Sequence, residues 1–412
     1  MVECWLPYGK TEVHISIPLR NLLGTAEPDL GQPATNQREV VTESLMNPLG
    51  TKPLIEVIDP GAAVAIALDG TIAPLVGTAA LSSIVEQIIL AGLSSDNIAV
   101  VIGNGCREQS DQGLVEALKG DEALEGISVV EHTRRSTNLV EMGTTSGKTS
   151  VAVHRSFAEA DLHIVVGEVI LDPFTGFRGA HSTILPGISG QATIEENRRR
   201  VFEENAAPGV IEANPVLADV MEATRLAGVD FAVNLIPNPK GRLLKAFSGG
   251  VEESWRRAVH ELGDSYRVKA ESNADIIVIS SGGSKFDFDL YHGIWALQSA
   301  SLVAKRGATI ILLAECSEGL GVDGITKLSH IDSLSELRRR YLLGGEAVHL
   351  IKSTIRSNEV VLVSTLPDHI AEPLGFTVKR TANDGLSAVA NRRRGKRTLV
   401  VTHGCSTLPV VT

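Results

Sequence analysis

The chain has 412 residues, room for two or three domains at roughly 100–200 residues each. It carries 38 Lys+Arg against 49 Asp+Glu, a formal net charge of −11, which argues against a nucleic-acid protein, whose affinity comes from cations neutralising phosphates. At 43% hydrophobic and 21% charged it is neither disordered nor collagen-like, and with 9 Phe, 4 Tyr and 3 Trp its core must be mostly Val, Ile, Leu and Ala.

The opening residues, MVECWLPYGKTEV, show no basic region followed by an apolar stretch, and no apolar run approaches the ~20 residues that span a bilayer. A soluble cytoplasmic protein with no membrane and no nucleic-acid partner is expected. Short apolar runs then recur at 64–68, 98–103, 162–167, 231–236, 276–281, 309–314, 360–364 and 398–402. Most are continuous rather than alternating, the mark of parallel strands covered on both faces. Helical stretches lie between them, at 75–91, 293–305 and 328–351, the last with Gly344 and Gly345 placed to end a helix. Several strands run into glycine turns: Asp69-Gly70-Thr71, Gly103-Asn104-Gly105-Cys106 and Ser281-Gly282-Gly283. In open α/β sheets ligands sit at the carboxyl ends of the strands, so these turns are where a site is expected.

The segment 160–167 echoes 274–280, and a polar stretch, Lys269–Asn273, separates the second from what precedes it. The reading is therefore an α/β protein of two α/β domains, 1–270 and 271–412, with the last strand free to return to the first. A small-molecule ligand is expected in a cleft between them. The four cysteines, Cys4, Cys106, Cys316 and Cys405, are too far apart for a zinc motif and too few for a disulfide scaffold.

Several stretches together resemble the nickel-dependent lactate racemase family. They are Leu6-Pro7-Tyr8-Gly9-Lys10, Asn21-Leu22-Leu23-Gly24, Phe174-x-Gly176-Phe177, Ile184-Leu185-Pro186-Gly187 with Thr193-Ile194, Asn214-Pro215-Val216, Asp289-Leu290-Tyr291 and Ala314-x-Cys316-x-Glu318-Gly319. The resemblance implies a lactate racemase-like fold and an isomerase of the racemase/epimerase type acting on a 2-hydroxy acid. Its cofactor would be a nickel pincer nucleotide, served by two histidines as acid and base, a tethering lysine and a nickel-binding histidine.

None of those four residues stands here. By the resemblance, Cys106 and Asp172 replace the two catalytic histidines, Ser182 replaces the lysine and Arg198 the nickel histidine. In the Asp69-Gly70-Thr71-Ile72 turn, Asp69 and Thr71 are kept on the cofactor side, but the carboxylate-binding arginine is Ile72. His292 and Trp295 replace a glutamine and a lysine on the substrate side. His181, beside the tether position, is placed to rescue metal binding or proton transfer. Any nickel pincer nucleotide would be held noncovalently, and which metal, if any, binds is left open.

Each of these residues also has an ordinary structural reading. Cys106 could be a buried apolar residue, Asp172 the start of an Asx turn, His181 a core histidine, Trp295 a core tryptophan with His292 as its neighbour. Arg198-Arg199-Arg200 could be a solvated helix face, and the Arg392–Arg397 run reads as exposed surface. As a base, Cys106 would need its thiol pKa lowered from about 8.5, and Asp172 its carboxyl raised from about 3.9. Three functions stay open: a divergent racemase or epimerase, a nickel-independent lyase or isomerase, and a noncatalytic protein that binds a nucleotide or hydroxy acid.

Overall fold

The computed structural model describes residues 1–29, 31–270, 274–392 and 397–411. The chain forms two compact units, Leu30–Gly263, and Met1–Asp29 together with Asp264–Thr412. Most of the basic run, 393–396, lies outside the described residues. Among the described residues no helix is long and apolar enough to cross a membrane.

The Leu30–Gly263 unit is built on six strands in the order Leu243–Gly249, Phe231–Pro237, Leu162–Glu168, Val64–Asp69, Ile98–Gly103, Ser128–His132. Five run parallel, and the Leu243–Gly249 edge strand is antiparallel. Val64–Asp69 is buried along its whole length, which its unbroken apolar run requires. The helix Pro74–Leu90 starts with proline at its first position, where a missing N–H is harmless. It turns Val76, Ala80, Ile84 and Ile88, spaced four apart, into the core formed by Ile66, Leu68, Val100 and Ile102. Each such Ile or Leu contributes about 1.5–3 kcal/mol by leaving water.

The second unit repeats the plan with six parallel strands, in the order Thr377–Lys379, Glu359–Val363, Ala304–Leu313, Ala274–Ser280, Thr398–Val401, Leu22–Ala26. The hairpin of Val2–Tyr8 and Thr11–Ile17 covers it, sending Leu6, Ile15 and Ile17 into a core shared with Ile276, Val278 and Ile311.

This differs from a division into 1–270 and 271–412. Residues 1–29 belong with the C-terminal unit because Leu22–Ala26 pairs with Thr398–Val401, and the hairpin's apolar face is buried there. The last apolar run, 398–402, lies between Ala274–Ser280 and Leu22–Ala26. Gly344 and Gly345 begin a helix, Gly345–Ser357, rather than end one: Gly344 is its N-cap with φ +100°, a conformation glycine adopts without strain.

Candidate functional site

In the Leu30–Gly263 unit, three neighbouring parallel strands end at one edge with polar groups. Asp69 closes Val64–Asp69, Glu168 closes Leu162–Glu168, and the Gly103–Cys106 turn follows Ile98–Gly103. Asp69 Oδ1 accepts from the Thr71 N–H at 2.9 Å and from the Thr71 hydroxyl at 2.7 Å, fixing the turn. The Arg178 guanidinium donates to the Thr71 hydroxyl at 2.6 Å. It also lies 3.5 Å from Asp69 and 3.8 Å from the fully buried Glu168. One arginine, two carboxylates and one hydroxyl thus form a connected cluster with net charge −1, offering a cation and several acceptors at the end of the sheet.

The segment that carries Arg178 is fixed by close packing. A Cβ on Gly167 would lie 2.8 Å from the Gly179 carbonyl, so the strand and this segment touch backbone to backbone. Asn234 accepts the Ala180 N–H at 2.9 Å, and the Thr183 hydroxyl donates to the Val166 carbonyl at 3.1 Å. This packing buries His181 completely, edge-on to Trp255 with ring centroids 5.1 Å apart. Neither ring nitrogen has a hydrogen-bond partner among the described residues. Burial pushes its pKa down to about 3, against a weaker upward pull from Asp172. His181 is therefore neutral at pH 7 and a poor base, and the rescuing role expected of it is not supported. Ser182 sits in the same short turn, its hydroxyl 3.4 Å from the Gly179 N–H.

The remaining residues divide. Cys106 is buried in the turn after its strand, and its carbonyl accepts from Arg134 at 2.8 Å. The neighbouring Arg107 reaches the Asp111 carboxylate at 3.8 Å. Asp172 Oδ1 accepts three donors of its own turn, the Phe174 and Thr175 N–H groups and the Thr175 hydroxyl, at 2.8–2.9 Å. That is the Asx-type turn of its ordinary reading. Arg198 is buried, not on a solvated face; its guanidinium stacks 4.5 Å from the centre of the Phe174 ring and donates to Asn197 at 3.2 Å. Ile72 is buried in the apolar core with the residues of the Pro74–Leu90 helix.

The second sheet also ends in polar groups. After Ala274–Ser280 the chain reaches Asp289, which caps the turn Leu290–Gly293 by accepting the His292 N–H at 2.8 Å. Asp289 is buried, and its two oxygens lie 2.8 and 3.0 Å from His292 Nδ1. Phe288 packs against the imidazole at 4.5 Å, and Tyr291 stands edge-on to both His292 and Trp295. Trp295 is buried, as in the core reading. Cys316 and Cys405 lie nearby in this unit, but burial pushes both thiols well up, leaving them protonated and unreactive.

A lysine-tethered, histidine-bound nickel group does not fit these residues. Ser182 has no amine to form the link. Arg198 places a permanent cation where a neutral nitrogen would have to donate a lone pair. Among the described residues no group of three or more His, Cys, Asp or Glu side chains is placed to hold a metal ion.

Three members of these clusters carry no site role in the sequence alone: Glu168, Arg178 and Asp289. Glu168 ends a strand and Arg178 lies inside the Gly176–Gly187 stretch, so position alone marked both. Asp289 was legible as an Asp three residues before a histidine, the spacing of a helix cap.

Residues 8–209 match the family model of the lactate racemase N-terminal domain, and residues 269–342 that of the lactate racemase C-terminal domain. The chain is 27% identical over 329 residues to a lactate racemase of Thermoanaerobacterium thermosaccharolyticum, covering 79% of this chain and 77% of that one. It is 26% identical over 353 residues to a lactate racemase of Lactiplantibacillus plantarum, covering 82% and 80%. The fold is similar to the lactate racemase apoprotein structure from T. thermosaccharolyticum, with a TM-score of 0.85, 23% identity and full coverage of both chains. A Thermotoga maritima protein of 13% identity superposes with a TM-score of 0.71, over 93% of this chain and 99% of that one.

Proposed function

This chain belongs to the lactate racemase family, and from that premise we propose that it is an isomerase of the racemase/epimerase type acting on a 2-hydroxy acid or a related hydroxy-carbonyl compound. The observation that carries the reading is the cluster of Asp69, Thr71, Glu168 and Arg178 at the carboxyl edge of the first sheet. Arg178 suits a carboxylate or carbonyl oxygen, and the two carboxylates suit hydroxyl donors, so a small hydroxylated anion matches it on both counts. The donors and acceptors are held by strand ends and a packed turn, so they are positioned before ligand arrives.

The tethered nickel group does not fit these residues, which leaves the chemistry to the chain's own side chains. The chemistry proposed is proton transfer. The C–H bond at the hydroxyl-bearing carbon breaks, its proton passes to a base, and the electron pair is shared with the adjacent carbonyl or carboxylate, whose growing negative charge Arg178 offsets. A proton returned to the opposite face completes the inversion. Cys106 and Asp172 stand where the resemblance places acid and base, and they are proposed as one donor–acceptor pair to be tested.

The test is chiral separation of products after incubating the full chain with a panel of 2-hydroxy acids and related polyhydroxy acids, beside Arg178→Gln. Interconversion by the wild type, with KM raised about tenfold or more in Arg178→Gln, supports the reading. A folded wild-type protein that binds a panel member and never interconverts it favours the binding-protein alternative. Equal KM in both proteins removes Arg178 from the site.

A further inference from the structure

The second sheet edge carries a side-chain pair that helix capping does not use up. As a cap, Asp289 needs only to accept the His292 N–H, which it does at 2.8 Å. The ring of the same histidine is drawn back onto the carboxylate as well, with Nδ1 2.8 and 3.0 Å from its two oxygens. A carboxylate can only accept, so Nδ1 carries the hydrogen and Nε2 keeps its lone pair. No hydrogen bond engages Nε2 among the described residues, and the imidazole remains about one-quarter exposed, at 23%, while the Asp289 side chain beneath it is buried, at 2%. The pair is stiffly held. Leu290 and Tyr291 donate to the carbonyls of Gly319 and Leu320 at 2.9 and 3.2 Å, and Glu318 donates to the Phe288 carbonyl at 2.7 Å. Phe288 and Tyr291 fix the ring plane from a face and an edge. The Tyr291 hydroxyl is in turn anchored at 2.7 Å on the buried Glu346.

We infer that His292, oriented by Asp289, is a proton-transfer residue of this chain, with Nε2 as the acting atom. The substrate class is that of the proposed function, on which this assignment rests: a compound whose hydroxyl-bearing carbon gives up its hydrogen. The C–H bond breaks, an Nε2–H bond forms, and the electron pair stays with the substrate. The imidazolium so produced is balanced by the Asp289 carboxylate it already touches, so no solvent has to reorganise around it. His292 is the catalytic residue in this assignment, and Asp289 is a positioning residue that acts through it.

The experiment uses the full chain labelled with 15N-histidine, with the His292 signals assigned by their loss in His292→Gln. The expected spectrum shows Nδ1 protonated and Nε2 bare, and Asp289→Asn mixes the two tautomers. On any substrate found for the wild type, His292→Gln lowers kcat by about 10²–10⁴-fold with KM little changed. Asp289→Asn lowers it by about tenfold or more, and added imidazole restores part of the rate to His292→Gly, which a structural role would not allow. A proton on Nε2 in the wild type, a tautomer unmoved by Asp289→Asn, or wild-type kcat in a folded His292→Gln overturns the assignment. Failure of the wild type on every substrate overturns the proposed function instead, and the tautomer spectra still decide for or against the pair.

Discussion

Two histidines, one at the carboxyl edge of each parallel sheet, show how little a residue's place in a motif says about its chemistry. His181 lies between the family-like Phe174-x-Gly176-Phe177 and Ile184-Leu185-Pro186-Gly187 stretches, yet it is sealed against Trp255 with neither nitrogen hydrogen-bonded among the described residues and its pKa pushed down to about 3 by burial. His292 directly follows the family-like Asp289-Leu290-Tyr291 and replaces a family residue, yet a buried carboxylate orients it and no hydrogen bond engages its far nitrogen among the described residues. Burying an imidazole without partners disfavours its charged form. Giving it a carboxylate on one nitrogen sets the tautomer and leaves the lone pair on the other. The same side chain thus becomes packing material in one unit and a proton acceptor in the other.

The largest effect that would break this contrast is on turnover. His292→Gln should cost about 10²–10⁴-fold in kcat, whereas His181→Leu should leave kcat within about threefold, since His181 is completely buried and reaches no substrate. A sealed ring whose pKa burial pushes down to about 3 is too weak a base to hold a substrate proton at pH 7, whereas the partly exposed His292 is not sealed; steady-state kinetics on the same substrate compares the two directly, and a larger loss in His181→Leu would reverse the assignment.

Acid stability separates the histidines next. His181, and His132 with its pKa pushed down to about 4 by burial, are both depressed in the folded state relative to the usual 6.5. The unfolded chain therefore takes up protons first as pH falls below 6.5. The stability their neutral forms contribute is complete above pH 6.5 and is lost on acidification towards about 4 for His132 and about 3 for His181. Each pKa difference is worth about 3 kcal/mol or more by the bottom of its window. Urea unfolding between pH 7 and 4 should show this decline, and His181→Leu should flatten it. Because its nitrogens make no hydrogen bonds among the described residues, that substitution should also leave neutral-pH stability unchanged or raised. An equally steep decline in the variant would mean that His181 does not titrate as described.

Packing beneath the first site gives a further test. Gly167→Ala brings a methyl to 2.8 Å from the Gly179 carbonyl, where backbone must move, and should cost about 1–3 kcal/mol while shifting Arg178 and raising KM. A stability and KM equal to wild type would show that this segment yields easily. Cys106→Ser replaces a buried thiol with a hydroxyl and should cost about 1–3 kcal/mol in stability. Its kcat then reports on the proposed pairing with Asp172, because an unchanged rate in both Cys106→Ser and Asp172→Asn leaves His292 without a competitor.

Much of the fold could be read from the chain because parallel strands buried on both faces need continuous apolar runs, as in Val64–Asp69 and Ile98–Gly103. The Val2–Tyr8 and Thr11–Ile17 hairpin was not legible, since its strands alternate buried and exposed positions over only seven residues and include Pro7. Its membership of the C-terminal unit depends on pairing across more than 370 residues, between Leu22–Ala26 and Thr398–Val401, which no local pattern encodes. Gly344 misled because a glycine with positive φ serves either end of a helix. For the site, the replaced positions Cys106, Asp172, Ser182 and Arg198 were visible as residue types. Their states were not: that Asp172 spends one oxygen on its own turn, or that Arg198 stacks on Phe174, is decided by packing in three dimensions.

The central claim is that this chain keeps the family's scaffold and moves a proton with its own side chains instead of through a tethered nickel group. The most direct test is to run the isomerisation in D2O on protein whose denatured mass has been measured. The expected result is an unmodified chain of 43.8 kDa and a product carrying deuterium at the inverted carbon, because a proton held on a side chain exchanges with solvent. A nucleotide-sized adduct on the chain, together with inverted product that retains its original hydrogen, would contradict it.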